Sequence, residues 1–275
     1  MLQRNFLLRG LEPTRRFLRR LYYSGFKRCA ACGCRSRLVR QRVLPDELVS
    51  QWNISPNIAE RIDAREGLSC ALCGCNWRGR HLARTILEEL ARSHGVRAGS
   101  IASVVRRPAL KHLQVAEINE VAGLHRYLSG LAGLAYSEFG SDDPAIRHED
   151  LASLTYADQS FDYVLTSDTL EHVPDFDRAL AEIRRILKPR GTHIFTIPVV
   201  WDRLTRQRAQ VTPAGLRHLL PPSYHGSATE DRPDYLVFNE FGKDVVERIA
   251  RAGFSVRVEH DPDNAVVSTF VTRRI

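Results

Sequence analysis

An α/β fold, with an open and largely parallel sheet behind a small cysteine-bearing module, is what this chain of 275 residues predicts, on three observations. Phe161 to Ser167 is a β-branched and aromatic run that ends in the polar segment Ser167-Asp168-Thr169; a helical period follows from Asp177, and a second apolar strand runs from His193 to Val200. Upstream, the apolar strand Leu113 to Ile118, a loop, the helical stretch Leu124 to Leu131 and the strand Leu134 to Glu138 repeat that order. All six cysteines stand in two matching pieces, Cys29-Ala-Ala-Cys32-Gly-Cys34 and Cys70-Ala-Leu-Cys73-Gly-Cys75.

From the N-terminus, residues 1 to 28 form a basic arm in which Arg4, Arg9, Arg15, Arg16, Arg19, Arg20, Lys27 and Arg28 face Glu12 alone. A helix starting at Pro13 puts Phe17, Leu18, Leu21 and Tyr22 on one side and the arginines on the other. Such a helix suits an anionic membrane surface or an acidic partner; it equally suits packing on its own protein with a solvated basic face, and an organelle transit peptide has the same composition. The arm holds nearly all of the net charge of +8, so the rest of the chain is close to neutral and speaks against a nucleic-acid partner. At 43% hydrophobic and 26% charged the chain is of ordinary soluble composition. No run of apolar residues reaches the length of a membrane span or a secretory signal core, and a cytoplasmic location is expected.

Residues 29 to 100 read as a zinc-ribbon-like module with a helical insertion. Two Cys-x-x-Cys-Gly turns each offer two thiolates on one side while backbone amides steady the sulfur charge, which is what a tetrahedral zinc site requires. Cys29, Cys32, Cys70 and Cys73 are the expected ligands, with Cys34 and Cys75 free or alternative; disulfides are the competing reading. The spacer carries helical text from Leu44 to Trp52 and after Ser55-Pro56. Another helix starts at Asn76-Trp77, where His81 is either a further ligand or a surface histidine.

Residues 101 to 275 form the α/β part. Its central helix places Ala179, Leu180, Ile183 and Leu187 on one face and is stopped by Pro189 and Gly191. Toward the C-terminus an amphipathic helix spans Phe241 to Ala252, Gly253 closes it, and the strands Phe254 to Glu259 and Val266 to Thr272 form a hairpin around Asp261-Pro262-Asp263-Asn264. Ligands of open α/β sheets bind outside the carboxyl ends of the strands, so Asp168 to His172 and the loop after Pro198 are expected to share one crevice.

The stretch from Asp150-Leu151 through Ser160-Phe161-Asp162, Asp168-x-Leu-Glu-His-Val and Ala179-Leu180 to Leu187-Lys188-Pro189 resembles the class I S-adenosylmethionine-dependent methyltransferases, of the type 11 kind. The resemblance covers roughly residues 110 to 275 and implies a Rossmann-like, seven-stranded methyltransferase sheet with a C-terminal β-hairpin. It also implies S-adenosylmethionine as cofactor, held by Glu117, Asn119, Gly123, Glu138, Asp150, Leu151 and Asp168. Glu138, twenty-one positions past Glu117, stands where the ribose hydroxyls are gripped, and Asp150 and Leu151 where the adenine lies. Two departures stand out. Asn119 and Val121 replace two glycines of the cofactor loop, Asn119 tolerating left-handed geometry and Val121 obstructing it. Only eleven residues separate Glu138 from Asp150, too few for the usual crossover helix.

Methyl transfer needs a nucleophile held in line with an electrophilic methyl and, for a hydroxyl acceptor, a base. His172 and His225 are the candidates, His172 being either base or framework residue and His225 lying in a Pro-punctuated insertion that can line an acceptor pocket. Arg203, Arg206 and Arg208 either bind an anionic acceptor or form a solvated turn. The leading expectation is a methyltransferase for a small-molecule or glycan-type acceptor. The alternative is a catalytically silent scaffold that binds a partner through its zinc module and basic arm.

Overall fold

A computed structural model describes residues 27–225 and 235–275; the basic arm, apart from Lys27 and Arg28, lies outside them. The cysteine module contributes β1 (Leu38–Arg40), α1 (Asp46–Trp52), α2 (Pro56–Gly67) and β2 (Leu68–Cys70), with β1 and β2 paired antiparallel. Ser55 caps α2 through its hydroxyl, and Pro56 occupies the first turn, where a missing N–H costs nothing. Next comes α3 (Trp77–His94), whose Asn76 cap accepts the Gly79 amide at 2.8 Å and which ends on left-handed Gly95.

The sheet is built from β3 (Val115–Ile118), β4 (Leu134–Glu138), β5 (Arg147–His148), β6 (Phe161–Ser167) and β7 (Leu187–Thr196), followed later by β10 (Phe254–His260) and β11 (Ser268–Arg274). Its spatial order is β10-β11-β7-β6-β3-β4-β5, parallel except where β11 joins β7 and β10 joins β11. This is an α/β fold with a mostly parallel seven-stranded sheet and a terminal antiparallel hairpin. One face carries Ala116, Val164, Phe195 and Phe270 against Ala179, Leu180 and Ile183 of α5 (Phe176–Ile186) and Val245 and Ile249 of α6 (Val245–Arg251). The other buries Leu165, Ile194 and Val271 under Leu82, Ile86 and Leu90 of α3. The module and the sheet therefore share one apolar core. Among the described residues no helix is long and apolar enough to cross a membrane.

Several boundaries differ from the sequence expectation. The helix before β3's neighbour β4 shortens to α4 (His125–Leu128). Between Glu138 and Asp150 the chain makes only the two-residue β5, so the crossover helix is replaced by a loop. The central helix stops at Ile186, because Leu187 already pairs with Phe161 and carries Pro189 and Gly191 into β7. Phe241 is not helical. It is buried in β9 (Asn239–Gly242), which runs parallel to β8 (Val199–Val200), and the helix waits for Val245.

His81 is neither a metal ligand nor exposed: the face of α3 that carries it lies on β11, and its Nδ1 is 2.8 Å from the Thr269 hydroxyl. Burial drives its pKa down to about 4, and burial drives His193, between sheet and helices, down to about 3. Both rings stay neutral in the folded chain while the unfolded chain takes up protons below about pH 6.5. Folded pKa values below the unfolded one mean stability that is complete above that pH and is lost as the pH falls toward 4. The expected loss is roughly 1.4 kcal/mol per ring for each unit below 6.5. Melting curves of wild type and His193→Gln between neutral pH and pH ~5 check it; equal pH slopes in the two proteins would contradict the assignment for His193.

Candidate active site

The strand order reverses between β6 and β3, and the carboxyl ends of those two strands carry the loop 119–123 and Asp168. In that loop Asn119, Ala122 and Gly123 take positive φ of 58, 50 and 72°. A Cβ placed on Gly123 meets nothing within 4 Å, so the loop presents open space there. Val121 does not obstruct: its side chain is fully buried and joins the apolar cluster with Leu124 and Leu128. Glu117, also fully buried, ties the loop down by accepting the Val121 amide at 3.1 Å and meeting His125 Nδ1 at 2.7 Å. Burial raises its pKa, against the lowering pull of those two bonds.

The neighbouring strand ends are set by register. Asn119 donates its amide to Ser137 at 2.8 Å, and its side-chain oxygen accepts from Phe139 at 2.9 Å, which locks the loop to β4. Glu138 ends β4 half-buried and accepts the Tyr136 hydroxyl. Asp150 accepts the Ala152 amide at 2.8 Å through one oxygen, and Leu151 beside it is buried in the core.

Asp168 has a φ of 47°, an uncommon conformation for a residue with a side chain and one that concentrates at functional sites. Its carboxylate takes a two-pronged pair from Arg65 at 2.6 and 2.7 Å, a bond from the Thr196 hydroxyl at 2.8 Å, and lies 3.3 Å from Arg78 Nε. Burial alone would raise its pKa; the two guanidinium groups outweigh it and hold the carboxyl far below the usual range. Arg78 also reaches Ser167 and Glu66, and Asn76 holds Glu66 at 2.8 Å. Beside Arg78, Gly79 allows the first turn of α3 to press on the loop 119–123, since a Cβ there would lie 2.5 Å from the Ala122 carbonyl and 2.7 Å from Cys75 Sγ. That turn thus bridges both sides of the switch point.

His172 and His225 come together, their rings perpendicular with centroids 4.9 Å apart. Burial lowers both, His225 to about 3. Glu171, fully buried, lies against both. Burial and the neighbouring Asp168 charge push Glu171 well above the ordinary carboxylate value. Arg203, Arg206 and Arg208 do not stand as separate solvated side chains: all three converge on Glu240. Sequence reasoning missed Arg65, Glu66 and Arg78, which lie far from Asp168 along the chain with no local pattern. It also passed over Glu171, although that residue stands inside the Leu-Glu-His-Val motif.

In the module the two turns are copies of each other: Cys29 and Cys70 donate their amides to Cys34 and Cys75 at 2.9 Å, and Gly33 and Gly74 donate back to Cys29 and Cys70 at 2.8 Å. The four sulfurs of Cys29, Cys32, Cys70 and Cys73 lie within 4.8 Å of one another, the Cys29–Cys73 pair at 3.7 Å. That pair matches the roughly 3.8 Å edge of a tetrahedron with zinc–sulfur bonds of about 2.3 Å. Cys34 is exposed, and Cys75 is buried against the Ala122 carbonyl at 3.6 Å.

Residues 109–195, from the approach to β3 through β7, match the family described as Methyltransferase domain. Over 49 residues the chain is 41% identical to the glycine/sarcosine/dimethylglycine N-methyltransferase of Actinopolyspora halophila, covering 18% of this chain and 9% of that one. A stretch of 61 residues is 43% identical to the arsenite methyltransferase of Aquipseudomonas alcaligenes, covering 21% and 18%. The chain thus spans less than a fifth of the length of these curated relatives. An S-adenosylmethionine-dependent methyltransferase from Mesorhizobium loti, solved by crystallography, superposes with a TM-score of 0.39 at 15% identity, over 64% of this chain and 100% of that chain.

Proposed function

We propose that the protein is an S-adenosylmethionine-dependent methyltransferase that modifies a small-molecule or glycan-type acceptor, with a structural zinc held by Cys29, Cys32, Cys70 and Cys73. The observation that carries the reading is the loop 119–123, which turns through three left-handed residues and opens at Gly123 without the family's full glycine complement. When bound, the cofactor supplies a methyl on a sulfonium, an electrophile that needs little from the protein beyond alignment and exclusion of water. Glu117 fixes the loop, whose backbone at Asn119 and Gly123 admits close approach of the ligand. Glu138 accepts from the ribose hydroxyls, exchanging its bond from Tyr136; Asp150 and Leu151 serve the adenine. Asp168, with its arginines, sets the charge at the methyl-donor end. His172 and His225 lie on the acceptor side, both neutral at physiological pH.

Calorimetry with S-adenosylmethionine tests this directly. Glu138→Ala is expected to weaken binding by about 1.5–3 kcal/mol, the loss of a charged hydrogen-bonding partner; an unchanged dissociation constant would remove Glu138 from the site. A second reading, the silent scaffold, is favoured by one feature: Arg65 and Arg78 already satisfy Asp168, leaving that carboxylate without spare charge. No measurable cofactor binding by the folded protein would select it.

A further inference from the structure

We propose that Glu171, His172 and His225 form a binding site for a divalent transition-metal cation, separate from the four cysteines. Their ligand atoms all lie within 4.8 Å of one another. Glu171 is fully buried, and among the described residues neither of its carboxylate oxygens has a hydrogen-bond partner. A buried carboxylate without partners is costly, and native proteins supply a proton donor or a cation at such places.

The imidazoles do not supply a hydrogen bond. His172 Nδ1 is 3.0 Å from the Leu236 carbonyl. A carbonyl only accepts, so Nδ1 carries the proton and Nε2 bears a lone pair. That Nε2 is 3.7 Å from Glu171 Oε1, and His225 Nδ1 is 3.8 Å from the same oxygen. These distances exceed a hydrogen bond. They are close to the roughly 3.3 Å that separates ligand atoms around a cation bonded at about 2.0–2.1 Å. A lone pair and a carboxylate oxygen facing each other in a buried setting repel unless something positive lies between them.

The surroundings are built to hold this arrangement. The bond from His172 to a backbone carbonyl is the outer support that orients metal-bound histidines. Trp52 of α1 packs edge-on to His225 at 5.8 Å and donates its indole N–H to Ser223 at 2.8 Å, which anchors the segment bearing His225. The Glu171 carbonyl accepts the Phe238 amide at 2.8 Å. Two imidazoles and one carboxylate suit zinc, cobalt, iron or manganese better than magnesium or calcium, and three protein ligands leave positions for water or an acceptor oxygen. A cation there would lower the pKa of a bound hydroxyl, a role the neutral histidines fill poorly. That role rests on the methyltransferase reading, whereas metal binding does not.

The test is a cobalt titration of full-length protein whose cysteine site already holds zinc, with no S-adenosylmethionine present. The expected result is one equivalent of Co2+ with visible d–d absorption and no thiolate charge-transfer bands. Glu171→Gln, close in shape, is expected to weaken uptake at least tenfold at an unchanged melting temperature. Independently of any variant, cobalt-edge X-ray absorption of the wild type is expected to show imidazole scattering and no sulfur shell. No uptake beyond the thiolate site, a sulfur shell, or equal uptake by folded Glu171→Gln overturns the proposal. Failure of cofactor binding in calorimetry, with cobalt uptake intact, would overturn the methyltransferase reading alone.

Discussion

Replacing Cys70 by serine is expected to release zinc and unfold the cysteine module, the largest effect of any single change proposed for this chain. Structural zinc sites of this kind contribute about 10–16 kcal/mol of apparent binding free energy, all of it folding free energy. Cys70 is also where β2 ends, paired with Leu38, and where the second turn begins. Metal analysis should find about one zinc per chain lost from the cysteine site, together with a fall in melting temperature. The damage should spread, because Cys75 and Gly79 rest on the loop 119–123 at Ala122 and α3 shares its core with the sheet. Wild-type protein that is folded, metal-free and reactive at all six thiols would defeat the zinc assignment.

Asp168→Asn is expected to cost about 3–5 kcal/mol, since it takes the two-pronged carboxylate from a buried guanidinium and leaves it Glu66 alone. The Arg65 side chain is only 4% exposed, and Asp168 is its two-pronged partner. Urea unfolding of the single variant against the double variant Asp168→Asn, Arg65→Met separates the broken pair from the pair's own worth: the double variant should recover most of the loss. A single-variant cost below ~1 kcal/mol would mean that water reaches the crevice and the pair behaves as a surface one. Because folding depresses the Asp168 pKa, its contribution is present above the ordinary carboxylate value and disappears in acid.

What could be read from sequence was whatever local chemistry decides. The strand from Phe161, the caps at Ser55 and Asn76 and the paired cysteine turns each depend on residues a few positions apart, and each stands where the pattern put it. Phe241 went astray because a short run with helical spacing also satisfies a buried two-sided strand, and the partner that decides, Val199, is far along the chain. The three arginines around residue 206 meet the same limit: their shared partner, Glu240, is invisible from their side of the sequence. At the candidate site the resemblance pointed to residues that the structure sets at strand ends, Glu138 and Asp168 among them, yet the charges that govern Asp168 come from α2 and α3, which no pattern in the α/β part announces. Val121 shows the converse. Its residue type predicts obstruction, but which way a side chain points is settled by packing, and here it points into the core.

The Arg65–Asp168 pair also orders events during synthesis. A ribosome releases the module first, with Arg65, Glu66 and Arg78 in place and Asp168 far behind them in the chain. Until β6 has emerged, the inner face of α3 lacks its cover and the two cations share Glu66 alone, so the earlier half must wait, partly assembled, for the later one. Closing so long a loop is slow, and the crevice is among the last parts of the molecule to form. A nascent chain stalled before residue 168 would present a bare apolar helix and two guanidinium groups sharing one carboxylate, the kind of intermediate that chaperones retain.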